Sequence, residues 1–250
     1  MKTLCHKPLF SLIAALGLAA TSHTLQADTV FGIYAGAGAW QTEYDGDIGK
    51  PALTTQELGV DEKNNSFYYI AIEHPIPFLP NLKLQQNDLS SRQSATIEKS
   101  FELGGTDFIM GENVTTDFDL SYTDATLYYE FLDNWLNLDL GVTLRQYSGY
   151  VKAESAFSAE NIDVDATAPL VYARFQFDLP FTGFSAGLEG NAIRYDGNTL
   201  QDYSAKIGYM FDSALDLGIE LGYKQTHIKL NDDDVNLELR GPYAAAVFHF

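Results

Sequence analysis

Three observations predict a closed antiparallel up-and-down transmembrane β-barrel of about ten strands, with eight as the other count. Apolar and polar residues alternate one by one in segment after segment, the chain opens on an export-type leader, and it stops on Phe250. Alternation of period two places one residue type on each face of a strand, and a closed ring of strands is one of two backbones that can cross a bilayer.

The leader comes first. Lys2 and Lys7 form a positive start, Leu9 to Ala20 is an uncharged apolar run, and Leu25-Gln26-Ala27 precedes Asp28. This is the layout of a secretory signal over residues 1–27, cut near Ala27. The run is too short to span hydrocarbon as a helix, which leaves 28–250 as a single barrel domain. Cys5, the only cysteine, precedes the apolar run, so the mature chain has neither disulfide nor thiolate chemistry.

With Lys2 and Lys7 removed from the 15 Lys+Arg, 13 remain against 34 Asp+Glu, a formal net charge of −21. Nucleic-acid binding needs a basic surface and is excluded. The 15 Tyr and 16 Phe argue equally against a disordered acidic chain. The acid belongs in loops and on one face of ordered strands.

The strands follow in order. Phe31, Ile33, Ala35, Ala37 and Ala39 oppose Gly32, Tyr34, Gly36 and Gly38. Leu136, Leu138, Leu140, Val142 and Leu144 oppose Asn137, Asp139, Gly141, Thr143 and Arg145. Val171, Ala173, Phe175 and Phe177 alternate with Tyr172, Arg174, Gln176 and Asp178, and Phe184, Ala186 and Leu188 with Ser185, Gly187 and Glu189. Tyr203 to Tyr209 and Leu215 to Tyr223 repeat the pattern. Short breaks at 74–81, 132–134, 179–183 and 211–213 alternate with breaks near 45–65, 93–113, 155–164, 196–200 and 230–234, most of them longer and more polar. Tight periplasmic turns and larger outer loops have this alternation. The polar stretch between 81 and 120 is what leaves the strand number open.

The faces distinguish a membrane barrel from a soluble one. The polar face mixes glycine with charges of both signs, as a filled lumen requires: Asp139, Arg145, Arg174, Asp178, Glu189, Lys206, Asp216, Glu220 and Lys224. These are expected to form a structural network of salt bridges and hydrogen bonds. Aromatics gather near segment ends. Phe78, Phe131, Trp135, Phe177, Phe181 and Phe211 lie beside the short turns, and Tyr44, Tyr147, Tyr150, Tyr195 and Tyr223 lie towards the other rim. Two such rings are interfacial girdles.

Phe248 and Phe250 end the chain on alternate positions, and this resembles the terminal strand that outer-membrane barrels present to their assembly machinery. Leu237 and Leu239 are apolar on the opposite parity. The faces are therefore expected to swap at a bulge at Gly241-Pro242.

The stretches Glu73-His74-Pro75-Ile76-Pro77-Phe78-Leu79-Pro80-Asn81 and Asp124-Ala125-Thr126-Leu127-Tyr128-Tyr129-Glu130-Phe131-Leu132-Asp133-Asn134-Trp135 resemble those of an uncharacterised family of proteobacterial outer-membrane barrels, small and porin-like or OmpA-like. The resemblance extends over essentially the whole mature chain. It implies fold and a Gram-negative outer-membrane location, and brings no catalytic residues.

The function expected is that of a non-enzymatic integral barrel, structural or binding a small ligand or ion at acidic outer loops. A narrow channel is the alternative, and an outer-membrane hydrolase, omptin-like or lipid-modifying, the next. No catalytic, metal or cofactor residues are assigned. Asp232-Asp233-Asp234 and Asp45-Gly46-Asp47 read as solvated turns, because they lack the spaced ligands of a calcium loop. Of His74, His227 and His249, only His227 is placed near the outer rim, with no nucleophile in a motif beside it. The three prolines at 75, 77 and 80 read as a fixed turn. Outer-membrane lipid, lipopolysaccharide and, during insertion, the barrel assembly machinery are the expected partners.

Overall fold

A computed structural model describes residues 31–48, 50–60, 62–76, 78–211, 216–230 and 235–250. The leader, the cut near Ala27 and the Asp232–Asp234 turn lie outside them. Fifteen strands follow one another: β1 (Gly32–Ile48), β2 (Leu53–Thr54), β3 (Lys63–Glu73), β4 (Asn81–Asn87), β5 (Ser90–Thr96), β6 (Phe101–Leu103), β7 (Thr106–Phe108), β8 (Asn113–Asp119), β9 (Tyr122–Leu132), β10 (Leu136–Glu154), β11 (Ala159–Asp178), β12 (Phe184–Tyr195), β13 (Asn198–Met210), β14 (Asp216–Leu230) and β15 (Val235–His249).

Ten strands make the wall. The ladder runs β1-β3-β4-β9-β10-β11-β12-β13-β14-β15 and returns to β1, antiparallel throughout. Both backbone bonds between Ile33 and Phe250 are 2.8 Å, so the last residue closes the ring. The uncertain 81–120 stretch resolves as continuations of two wall strands. β5 extends β4 beyond Asp88-Leu89, β8 extends β9 beyond Leu120-Ser121, and β5 pairs with β8. The small β6-β7 hairpin joins them.

The outward face carries an apolar belt. Leu140, Val142 and Leu144 on β10, Val171 and Phe175 on β11, Leu188 on β12, Ile207 on β13, and Leu217, Ile219 and Leu221 on β14 are all exposed. Along β15 the belt runs from Pro242 to Phe250, about the nine residues that a tilted transmembrane strand needs. Exposed Phe31, Phe78, Phe131, Trp135, Phe181, Phe184 and Phe211 ring the end that holds the short turns. Phe78 and Phe181 sit in the left-handed region (φ 66° each), a strained position that points both rings off the turn tips.

β10 and β11 have 19 and 20 residues, twice what the hydrocarbon needs, so the wall continues into water. Both faces change character where it emerges. On β14 the outward series Leu217, Ile219, Leu221, Tyr223 gives way to Gln225 and His227, while the inward series Glu220, Lys224, Thr226 ends on buried Ile228. β10 does the same: outward Leu144 is followed by exposed Gln146, and inward Arg145 by buried Tyr147. The barrel is therefore inverted within the membrane and oriented like a soluble barrel above it.

This corrects the bulge expected at Gly241-Pro242. Tyr223↔Pro242 and Lys224↔Gly241 pair in unbroken register with β14, and the β1 register is the same on either side of the pair. Odd residues face inward from Leu237 to Tyr243. Leu237 and Leu239 are buried in the lumen, and the change of apolar parity marks the waterline. Gly241 is needed for close approach: a Cβ there would stand 1.8 Å from the Gln41 carbonyl oxygen.

Two further expectations change. Asp45-Gly46-Asp47 is part of β1, paired with Glu238, Leu237 and Asn236. Tyr44 and Tyr147 belong to no girdle; they are buried, Tyr44 edge-on to Phe118 (5.6 Å) and Tyr147 against Tyr122 (5.2 Å). Tyr195, Tyr203 and Tyr223 are exposed towards that rim.

Candidate functional site: a lumen closed at its outer end

The lumen has three storeys. The outermost is an apolar core. Leu53, Leu58 and Val60 enter it from the β1–β3 connection, and Ile97, Phe101, Phe108 and Val114 from the β5–β8 excursion. They meet Tyr44, Ile228, Leu237 and Leu239 of the wall. Phe101 and Phe108 stack at 5.0 Å. Leu53 and Phe108 have no exposed surface, so the outer end of the lumen is filled by packed side chains.

One turn ties the two parts of this cap together, beside the Lys50–Glu102 backbone bridge. Thr54 N–H donates to Glu57 Oε2 (2.9 Å) and Glu57 N–H to Thr54 Oγ1 (3.1 Å), the reciprocal geometry of a capping box. Lys99 of the excursion bonds Glu57 Oε1 at 2.8 Å. That ammonium group, with the Thr54 N–H, holds the Glu57 carboxyl below its ordinary range. A depressed carboxylate pKa stabilises above the unfolded value and ceases to as pH falls through the folded one. Amide protection in 97–112, measured against the intrinsic exchange rate at each pH, should therefore fall on acidification below the usual glutamate range, and Glu57→Gln should remove that pH dependence.

The middle storey centres on Arg145, which is 1% exposed. Its Nε and Nη2 donate to the two oxygens of Asp124 at 2.7 Å each, and Nη2 also meets Asp202. The guanidinium lies 3.9 Å from the Tyr122 ring centre. Asn191 donates to Asp202 (3.0 Å) and accepts from Thr143 (2.6 Å), which shares a bond with Thr126 (2.7 Å). Lys224 donates to Asn87 Oδ1 (2.8 Å) and lies 4.9 Å from the Trp40 ring.

The lowest storey is a cavity of about 380 Å³ whose lining descends to the short turns and to His249. Lys83 pairs with Glu189, Lys206 with Glu220 (2.7 Å) and Arg174 with Asp139 (3.2 Å). Arg174 also donates to Gln176 (2.7 Å). Inward glycines make room for rings: a Cβ on Gly36 would stand 2.4 Å from Tyr69, and one on Gly222 2.6 Å from Tyr243.

The structure thus distributes the nine lumen charges rather than joining them. Arg145 and Lys224 stand in the middle storey; Arg174, Asp139, Glu189, Lys206 and Glu220 form separate pairs below. Asp178 is held by amides, Asn137 (2.6 Å) and Gln176 (2.8 Å). Asp216 stands at the mouth, 3.9 Å from His249 Nδ1. The sequence reading passed over Asp124, Asp202, Lys83, Glu73, Glu130 and the tyrosines between them. Parity marks Asp124 and Lys83, since both stand on the polar parity of alternating strands.

The histidines have separate places. His74 Nδ1 accepts from the Ile76 N–H (3.3 Å), so Nε2 carries the proton and donates to the Pro80 carbonyl (3.2 Å). These contacts tie His74 to Ile76 and Pro80, while Pro77 lies outside the described residues. His227 faces outward above the waterline, 3.0 Å from Asn236 Oδ1, and His249 stacks on Tyr34 at 4.2 Å.

A closed hydrogen-bonded ring, an apolar belt and a charged lumen leave one assignment. The chain is a closed transmembrane β-barrel. No family model matches it, and no curated protein matches it. Among solved structures it is similar to Ail, the attachment invasion locus protein of Yersinia pestis, at 12% identity over 88% of this chain and 99% of that one (TM-score 0.38). It is similar to Neisserial surface protein A at 12% identity over 85% and 95% (TM-score 0.34), and to the toluene transporter TodX of Pseudomonas putida at 7% over 89% and 90% (TM-score 0.36). No ligand or partner of this barrel follows from likenesses of that size.

Proposed function

We propose that this barrel is a non-enzymatic, non-conducting protein of the outer membrane that meets cations and lipopolysaccharide through the acidic half of its wall above the waterline. The apolar core in the outer lumen carries the reading, because ions do not cross packed, unhydrated side chains. Above the belt the outward residues include Glu43 and Asp45 around Arg240, and exposed Asp163 and Asp165. Such carboxylates suit a divalent cation shared with lipid phosphates. Membership of the uncharacterised proteobacterial barrel family, and delivery of the Phe248–Phe250 strand to the assembly machinery, belong to the same proposal.

Conductance in planar bilayers tests it. The folded protein should give no steps, whereas steady steps would establish the narrow-channel reading. Retention on lipopolysaccharide vesicles should require Mg²⁺ and be lost to a chelator. For the hydrolase reading, His227→Ala should leave any outer-membrane protease or lipase signal unchanged, as the amide partner of His227 supports no nucleophile.

A further inference from the structure

Above the waterline one wall strand lacks a neighbour. β11 pairs with β10 from Ala159 to Phe177. With β12 it pairs only from Val171↔Ala192 to Asp178↔Ser185. β12 turns back into β13 at Tyr195↔Asn198, and no described strand lies beside residues 159–170 on that side. Pro169 stands just above the last β12 pair. Proline cannot donate to a ladder and is confined to edges, which suits the place where this pairing stops.

A free edge turns a row of unpaired N–H and C=O groups to solvent, a template on which another strand can pair. Proteins commonly protect such edges with lysine, proline or a bulge. Residues 159–168 contain no lysine or proline, and their register with β10 is unbroken. The edge is also held in place. β10 carries β8 on its far side at 150–154, and β8 carries β5. On the inner face Thr106 Oγ1 donates to Glu160, and Ser158 Oγ donates to the Asp107 carbonyl (2.9 Å). A strand added here meets a template that is already ordered.

Charge selects the partner. The outward side chains Asn161, Asp163, Asp165 and Thr167 are exposed. Asp163 and Asp165 accept from the amides of Asn161 (3.0 Å) and Gln146 (2.8 Å), and among the described residues neither forms an ion pair. A second copy is a poor occupant. Barrels in one membrane carry β11 in the same direction, and side-by-side pairing would set these carboxylates against their own copies. A strand with lysine or arginine at alternate positions would instead place a cation beside each. Phe157, 86% exposed in the β10–β11 connection, offers an apolar contact at the top of the edge.

We infer that the free edge of β11 captures an extended basic segment of another polypeptide by adding it as a strand. This capture requires neither the closed lumen nor bound cations, so it stands or falls apart from the function proposed above.

The probe is a fluorescent peptide of about ten residues alternating lysine and threonine. It is titrated into the full barrel folded in octyl glucoside, with a chelator present and no lipopolysaccharide. Saturable binding is expected, with amide protection gained at residues 159–168 and not in β12. N-methylation of alternate peptide amides should abolish binding in one phase and preserve it in the other, because only one edge of the added strand pairs. Asp163→Asn with Asp165→Asn should weaken binding roughly fivefold, through the loss of two exposed ion pairs. If that variant loses its heat-modifiable folded band, the two methylated peptides on the unaltered barrel decide. Absence of saturable binding, protection elsewhere, or equal binding of both methylated peptides would each overturn the assignment. So would a barrel that sediments as a dimer and protects 159–168 without peptide, since the occupant would then be a second copy.

Discussion

Replacing Arg145 by methionine should destabilise the folded barrel by about 3–5 kcal/mol, the usual cost of leaving buried charges unpaired. The guanidinium satisfies both oxygens of Asp124 and one of Asp202, and all three side chains are at most 7% exposed. Removing it strands two carboxylates beside each other under the Tyr122 ring. Urea unfolding in detergent micelles, followed by the fluorescence of buried Trp40, measures the loss. Adding Asp124→Asn and Asp202→Asn should restore most of it, since uncharged groups of the same shape carry no such penalty. If Arg145→Met alone unfolds at the wild-type denaturant midpoint, the middle storey contributes nothing to stability.

Leu239→Asp should cost more than about 3 kcal/mol, because it sets an unpaired carboxylate in the packed cap at a position only 1% exposed. Its neighbour in the chain points the other way. Glu238 faces outward, bound to Gln225 and Arg240 above the waterline, and Glu238→Leu should change stability by less than about 1 kcal/mol. Unfolding midpoints of the two variants compare the faces directly. Within the membrane the contrast reverses: Val142→Arg on the belt should cost about 2–4 kcal/mol at mid-depth. A barrel whose outward face were apolar along its whole height would instead tolerate Leu239→Asp in a polar lumen and be stabilised by Glu238→Leu.

Most of the wall could be read directly from the order of residues. Alternation through 136–145, 171–178, 184–189 and 203–209 gave strands and faces, because a pleated backbone has a side-chain period of two. The short turns were equally visible, since proline and glycine interrupt pairing. The lumen charges on β10 to β14 were marked by parity as well. The cavity was not, because Glu73, Glu130, Tyr34 and Tyr128 belong to strands separated by up to about 100 positions, and only ring closure places them around one space.

What the sequence determined by itself is a ring of alternating strands with an apolar belt and an acidic surplus. What the tertiary structure decided is the medium each part of a strand meets. Leu237, Leu239, Tyr44 and Tyr147 are apolar or aromatic residues on the polar parity of their strands, and local pattern alone assigned them to lipid or to a bulge. They face inward because the long strands leave the membrane. Above the waterline the exterior is wet, the apolar surface of the cap must be buried, and the lumen is the only dry place left. The height at which that exchange occurs is set by how strands from all around the barrel stand in register, and no single segment contains it.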